Sequence, residues 1–154
     1  MDQYEEKLKI YLKENNVNAE QFTFQESCHS VQEAARAVKG TPQDFVKNIV
    51  LLDSTEKLII AILKGEDRAD FKKIEQFLNK KIRIAGNEEV LEKTSYPPGG
   101  VPSVGYEATF LIDQRVMERE FVYSGGGSDH ALVKITPTAI QHLNKGTIVN
   151  IRKD

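Results

Sequence analysis

Apolar positions recur along this chain with two different periods, and the alternation between them sketches the elements. Tyr4, Leu8, Tyr11 and Leu12 fall at helical spacing behind Asp2 and predict a first helix that ends near Asn15-Asn16. Residues 21–26 alternate as a short strand. Ser30-Val31-Gln32-Glu33 is a capping box opening a helix that runs to Lys39 and stops at Gly40. Two apolar strands follow, over 46–52 and 57–63, and the intervening Asp53-Ser54-Thr55-Glu56 suits a hairpin. Phe71, Ile74, Phe77 and Leu78 form one stripe of a helix over 70–78, which leads to a short strand over 81–85 and a helix over 88–93. Further strands are predicted over 108–113, 120–123, 131–135 and 147–151, with a short helix after Pro137. The pattern is α+β, with many short strands and no internal repeat.

One position breaks the pattern. In Phe45-Val46-Lys47-Asn48-Ile49-Val50-Leu51-Leu52, alternation places Phe45, Lys47, Ile49 and Leu51 on one face and Val46, Asn48, Val50 and Leu52 on the other. Neither face reads as solvated, so Lys47 carries a charge where charges are costly unless paired or opening onto a cleft. The bland alternative is a strand-end lysine reaching back to water.

Two glycine-rich loops also stand out. Tyr96-Pro97-Pro98-Gly99-Gly100-Val101-Pro102-Ser103-Val104-Gly105 has flanks fixed by proline around glycines that permit close backbone approach. Ser124-Gly125-Gly126-Gly127-Ser128-Asp129 sets a hydroxyl beside three residues without side chains, suited to cradling an oxygen-rich group. Either loop alone is also explained as a tight connection. Neither ends in Gly-Lys-Ser/Thr or matches a dinucleotide fingerprint, which disfavours nucleotide hydrolysis and a bound dinucleotide.

Composition narrows the classes further. The 154 residues suffice for one domain spanning 1–154, and 21 basic against 23 acidic side chains give a net charge of -2, so no overall field favours nucleic acid or membrane. No window approaches the roughly 18 apolar residues of a membrane span. The lone Cys28 has no partner for an internal disulfide and no zinc spacing around it, in keeping with a cytoplasmic protein without metal or cofactor.

The order of the parts carries the resemblance: a capping-box helix, Val46-Lys47 opening an apolar strand, Gly99-Gly100 among prolines, Leu111-Ile112-Asp113, then Ser124-Gly125-Gly126. Over roughly residues 24–143 the chain resembles the YbaK family, also known as the editing domain of bacterial prolyl-tRNA synthetases, which includes free-standing aminoacyl-tRNA deacylases. The resemblance implies a mixed, barrel-like sheet flanked by helices, and hydrolysis of the ester joining a wrong, small amino acid to a tRNA 3′ end. Aminoacyl-tRNA is the implied partner, with an aminoacyl-tRNA synthetase or elongation factor as a further one. The chief alternative is a non-catalytic aminoacyl-tRNA or synthetase-binding module of the same fold.

By the same resemblance Lys47 and Gly100 are the catalytic positions. Gly99, Val101, Pro102, Ser103, Ser124, Gly125 and Gly126 are the substrate-binding ones, joined by His29 and Ser30 beside the second helix. The family's Gly-x-x-x-Pro loop is altered: four residues beyond Gly99 stands Ser103, and the proline is Pro102. His130 and Asp129 follow the second glycine loop without a settled role. His142 reads as structural, Cys28 as core filler, and Lys72, Lys73, Lys80, Lys81 and Arg83 as an ordinary solvated face.

Overall fold

Local chemistry sets most element boundaries. In the computed structural model, which describes residues 1–154, helix α1 (Gln3–Glu14) starts at a capping box in which Asp2 accepts from the Glu5 N–H. Helix α2 (Val31–Val38) starts at the equivalent box on Ser30 and Glu33. Helices α3 (Phe71–Leu78) and α5 (Pro137–Asn144) are capped by Asp70 and Thr136, the latter followed by proline at the first helical position. Helix α4 (Asn87–Thr94) follows Gly86. The second helix does end at the Lys39-Gly40 junction, but the left-handed residue is Lys39, at φ 56°, and the Gly40 N–H closes the end on Ala35 O at 2.8 Å.

The strands are β1 (Ala19–Thr23), β2 (Val46–Asp53), β3 (Leu58–Lys64), β4 (Ile82–Ile84), β5 (Thr109–Asp113), β6 (Val122–Gly125), β7 (Ala131–Ile135) and β8 (Thr147–Val149). Strand β1 lies two to three residues ahead of its expected place because its partner, β7, begins only after the second glycine loop. Pairing runs from Ala19–Ile135 to Thr23–Ala131 and is extended by one bond from Phe24 N to His130 O. The predicted hairpin is present, with β2 and β3 antiparallel from Val46–Lys64 to Leu52–Leu58. Asp53 holds its turn by accepting from the N–H groups of Thr55 and Lys57 at 2.7 and 3.0 Å. Strand β8 stops at Val149, and its expected continuation becomes a tail in which Ile151 is buried and Arg152 bridges to Ala69.

Five strands form a mixed sheet in the order β4-β2-β3-β5-β8, in which β3–β5 and β5–β8 are parallel. Three more form an antiparallel sheet, β1-β7-β6, joined to the first by a bridge between Phe45 and Tyr123. The mixed sheet flanked by helices is thus present, divided into two sheets rather than closed as a barrel. Both faces of the larger sheet are covered. Leu51, Ile59, Ala61, Leu63 and Leu111 pack with Ile74 of α3, while Val50, Leu52, Ile60, Ile62, Phe110 and Ile112 pack with Leu8, Leu12, Val133 and Ile140. Each such aliphatic side chain contributes roughly 1.5–3 kcal/mol on burial.

The division of the sheets leaves a gap along β2. Phe45 and Asp53 bond back to the β3 side, through Gly65 N and Lys57 O. Antiparallel alternation therefore turns the N–H and C=O of Val46, Asn48 and Val50 toward the opposite edge. Strand β4 covers that edge only from Leu51 to Asp53, with one more bond from Ala85 N to Val50 O, and β6 is bridged to it through the backbone only at Phe45.

Candidate active site

A cavity of about 410 Å³ lies along this uncovered stretch of β2. Its walls are the consecutive residues Phe45 to Val50, then Cys28 to Val31 and Ala34 around the start of α2. Ile84 at the end of β4 lines it with Ala85, Asn87 and Val90 beyond, and Pro98, Gly99, Val101, Tyr123, Ser124, Gly125 and Leu132 complete it. Lys47, Ser124 and the two glycine loops, remote in sequence, converge here because β2 is the strand on which both sheets meet.

Lys47 is half-buried, and its ammonium makes no ion pair or hydrogen bond with the protein. Burial pulls its pKa below the ordinary lysine value; the charge of Asp67 opposes that shift and the charge of Arg68 adds to it. Three other cations of this region are paired: Lys64 with Glu66 at 2.8 Å, Arg115 with Asp67 at 2.7 Å, and Arg119 with Asp44 at 2.8 Å. Lys47 therefore stands at the cavity as a cation without a carboxylate of its own.

On the other face of the strand, Asn48 organises a closed polar ring. Its amide Nδ2 donates to Val101 O at 3.0 Å and to Ser124 Oγ at 3.4 Å, and its Oδ1 accepts from Ser103 Oγ at 2.8 Å. The Ser103 proton is used on Asn48, so Ser124 donates across the 2.7 Å contact between the two hydroxyls. The ring pins the glycine loop (Val101, Ser103) to β2 and β6. It also occupies the Ser124 hydroxyl, and no base lies within hydrogen-bond reach of it. Sequence reasoning passed over Asn48, whose signal was the same as that of Lys47: a polar residue in an otherwise apolar run.

The glycines divide by role. Gly99 lines the cavity at φ +85°, and a Cβ there would lie 2.3 Å from His29 Nδ1, so the His29 ring rests directly on it. Gly125 lines the cavity with its α-carbon so close to the first loop that a Cβ would lie 2.1 Å from Val101 O. Gly100 is not among the lining residues: its N–H donates to Pro97 O at 3.0 Å, its carbonyl accepts from Gly127 N at 2.9 Å, and a Cβ would lie 2.5 Å from Ser128 N. Gly100, expected as a catalytic position, thus sits where the two loops touch. Gly126 also stands outside the cavity, bonded through its N–H to Ala131 O and through its carbonyl to Gln21. Pro102 and Ser103 lie behind the wall, where Pro102 O accepts from the Tyr106 hydroxyl at 2.7 Å. The N–H groups of Gly99 and Val101 have no acceptor in the protein.

His29 and Ser30 both reach the cavity, and the ring nitrogens of His29 form no hydrogen bond. Cys28 lines it as well, but burial, with Glu26, Glu33 and Asp129 nearby, pushes its thiol up to about 11, away from thiolate chemistry. His130 lies aside, its Nδ1 3.0 Å from Glu26 O and its Nε2 3.5 Å from Asp129. His142 is exposed on α5. Of the basic side chains in 72–83, Lys73, Lys80, Lys81 and Arg83 are tied to Asp154, Asp53, Glu75 and the pair Glu56 and Glu89. No helix is long and apolar enough to cross a membrane.

Known proteins agree with this architecture. A solved structure of hypothetical protein APE2540 superposes with a TM-score of 0.89 at 25% identity, covering 96% of this chain and 99% of that one. A second, of a candidate trans-editing enzyme for prolyl-tRNA synthetase, superposes at 0.92 with 23% identity over 100% and 99%. Among curated proteins, the uncharacterized protein YwhH of Bacillus subtilis is 23% identical over 134 residues, 85% of each chain. The sequence itself matches the aminoacyl-tRNA editing domain family over residues 25–143, a span holding Lys47, Asn48 and both glycine loops. The chain belongs to the aminoacyl-tRNA editing domain family, with the YbaK-like fold expected of it.

Proposed function

We propose that this protein is a trans-editing deacylase that hydrolyses the ester between a small, wrongly attached amino acid and the 3′-terminal ribose of a tRNA. The observation that carries the reading is the unpaired, half-buried Lys47 on a cavity walled by close-packed glycines, in a chain of this family. An ammonium without a counter-ion suits a phosphate or the polar end of an aminoacylated nucleotide, which would supply the missing negative charge.

The chemistry is addition of water to the ester carbonyl, followed by loss of the ribose oxygen as its hydroxyl and release of the free amino acid. No protein nucleophile is poised for it. The Ser103 and Ser124 hydroxyls are spent in the Asn48 ring, and Cys28 is held as a thiol. Rate enhancement then comes from orientation and from donors aimed at the developing oxyanion, each contributing roughly 3–4 kcal/mol when well placed. The unclaimed N–H groups of Gly99 and Val101, on residues that line the cavity, are the donors assigned to this role. Lys47 holds the nucleotide, and His29 and Ser30 line the side on which the aminoacyl group rests.

The test is single-turnover release of amino acid from tRNAs charged with alanine, cysteine, serine and proline, by wild type and Lys47→Ala side by side. Selective hydrolysis by the wild type and its loss in the variant support the reading. Tight binding of an ester that is protected rather than cleaved would replace the enzyme with a binding module.

A further inference from the structure

Helix α1 lies ahead of residues 25–143, over which the family match extends, yet its first turn packs on the second glycine loop. Glu5 is 6% exposed and accepts a short hydrogen bond from the Ser128 hydroxyl, which also accepts from His130 N at 3.0 Å. Gly127 is pressed on the same turn: a Cβ there would lie 2.9 Å from the Glu5 α-carbon and from Tyr4 O. Gln21 completes the contact, its Nε2 donating to Glu5 O at 2.9 Å and to Gly126 O at 3.0 Å. From this anchored segment the connection continues forward, since Gly127 N donates to Gly100 O and Gly100 packs on the Ser128 backbone. Gly99 and Val101, on either side of Gly100, line the cavity.

We infer that Glu5 is a positioning residue for the hydrolytic site, acting through Ser128 and Gly127 on Gly100 to fix where the Gly99 and Val101 N–H groups stand. The role rests on the proposed deacylase reading, although the clamp itself does not require it. A buried carboxylate needs partners, and a short polar one on the turn that seats Gly100 serves as a mechanical stop in a segment where three glycines supply none of their own. Glu5 also closes the α1 capping box, through Asp2 N to its Oε1 at 3.2 Å, so stability and positioning must be separated experimentally.

Four single variants and one double variant separate them: Ser128→Ala and Glu5→Ala, alone or combined, remove the clamp, Asp2→Ala weakens only the helix cap, and Glu5→Gln keeps an acceptor for Ser128. Each is assayed for kcat and KM on whichever ester the wild type cleaves, and for backbone amide exchange at Gly126 and Gly127. Misplacement of donors in the transition state predicts a fall in kcat of about 10- to 100-fold for both clamp variants with KM within about threefold. The Ser128→Ala/Glu5→Ala double variant should be no worse than either single one, and Glu5→Gln should recover most of the loss. Asp2→Ala should lose thermal stability but keep its kcat. Clamp variants that retain wild-type kcat, or lose it only as much as Asp2→Ala does, overturn the inference. If the wild type cleaves no ester, the deacylase reading fails, and amide exchange decides the clamp separately. Faster exchange at Gly126 and Gly127 in Ser128→Ala than in Asp2→Ala supports it, and equal exchange refutes it.

Discussion

Replacing Gly125 by alanine sets a methyl carbon 2.1 Å from Val101 O and 2.7 Å from Val101 C, with Gly100 C at 3.2 Å. An ordinary approach of carbon to a carbonyl oxygen is about 3.3 Å, so one wall must move by roughly 1 Å. Both walls are backbone and neither can rotate away. Val101 O is the acceptor for Asn48 Nδ2, so its displacement also strains the ring that includes Ser103 and Ser124. Overpacking of this kind costs about 1–3 kcal/mol, and a shift of about 1 Å in groups that orient substrate costs on the order of 100-fold in rate. Gly125→Ala should therefore unfold at lower urea concentration and release amino acid about 100-fold more slowly in single-turnover assays, with the far-ultraviolet circular dichroism unchanged. A variant with wild-type stability and rate would refute the claim that the two glycine loops touch at this point and that their contact shapes the site.

Lys47→Met should reduce turnover at least 100-fold, the scale of losing a principal electrostatic contact. Burial lowers the Lys47 pKa in the folded state, so the cation costs stability at neutral pH and this cost fades as pH rises toward the unfolded value. The melting temperature of Lys47→Met should accordingly exceed that of wild type at pH 7, with the difference shrinking in alkaline buffer. Asp53 behaves in the opposite sense. Burial alone would raise its pKa, but hydrogen bonds from Thr55 and Lys57 and the charge of Lys80 bring it down to about 2, so its contribution is present above about pH 4 and lost as pH falls toward 2. Asp53→Asn should flatten the decline in urea-unfolding stability across that window. Cys28, with its thiol near 11, should resist iodoacetamide at pH 7.5 in the native protein, and Cys28→Ser should keep its turnover.

Much of the site was legible because single residues violated their surroundings. Lys47 in an apolar strand and glycines paired between prolines are local anomalies, and Lys47 and Gly99, the first of that pair, reach the cavity. Asn48 carried the same signal yet was passed over, since an amide in a strand is less costly than an ammonium and so less conspicuous. The resemblance pointed to Gly100 as a catalytic and Gly126 as a substrate-binding position, and neither lines the cavity: Gly100 bonds to Pro97 and Gly127, and Gly126 to Ala131 and Gln21. A glycine that lets a ligand approach and one that lets another loop approach are identical in sequence.

The sequence by itself determined the helices, their caps at Asp2, Ser30, Asp70 and Thr136, and the β2–β3 hairpin, because each depends on residues within a few positions of one another. Only the tertiary structure decided that the strands divide into two sheets, that their parting leaves β2 open between the Phe45 bridge and the Ala85 bond at Val50, and that Glu5 stands behind the second glycine loop. Those outcomes depend on pairings such as Ser128 with Glu5 and Gly127 with Gly100, whose partners lie far apart along the chain. They are fixed by packing and hydrogen-bond satisfaction across the whole fold rather than by local propensity.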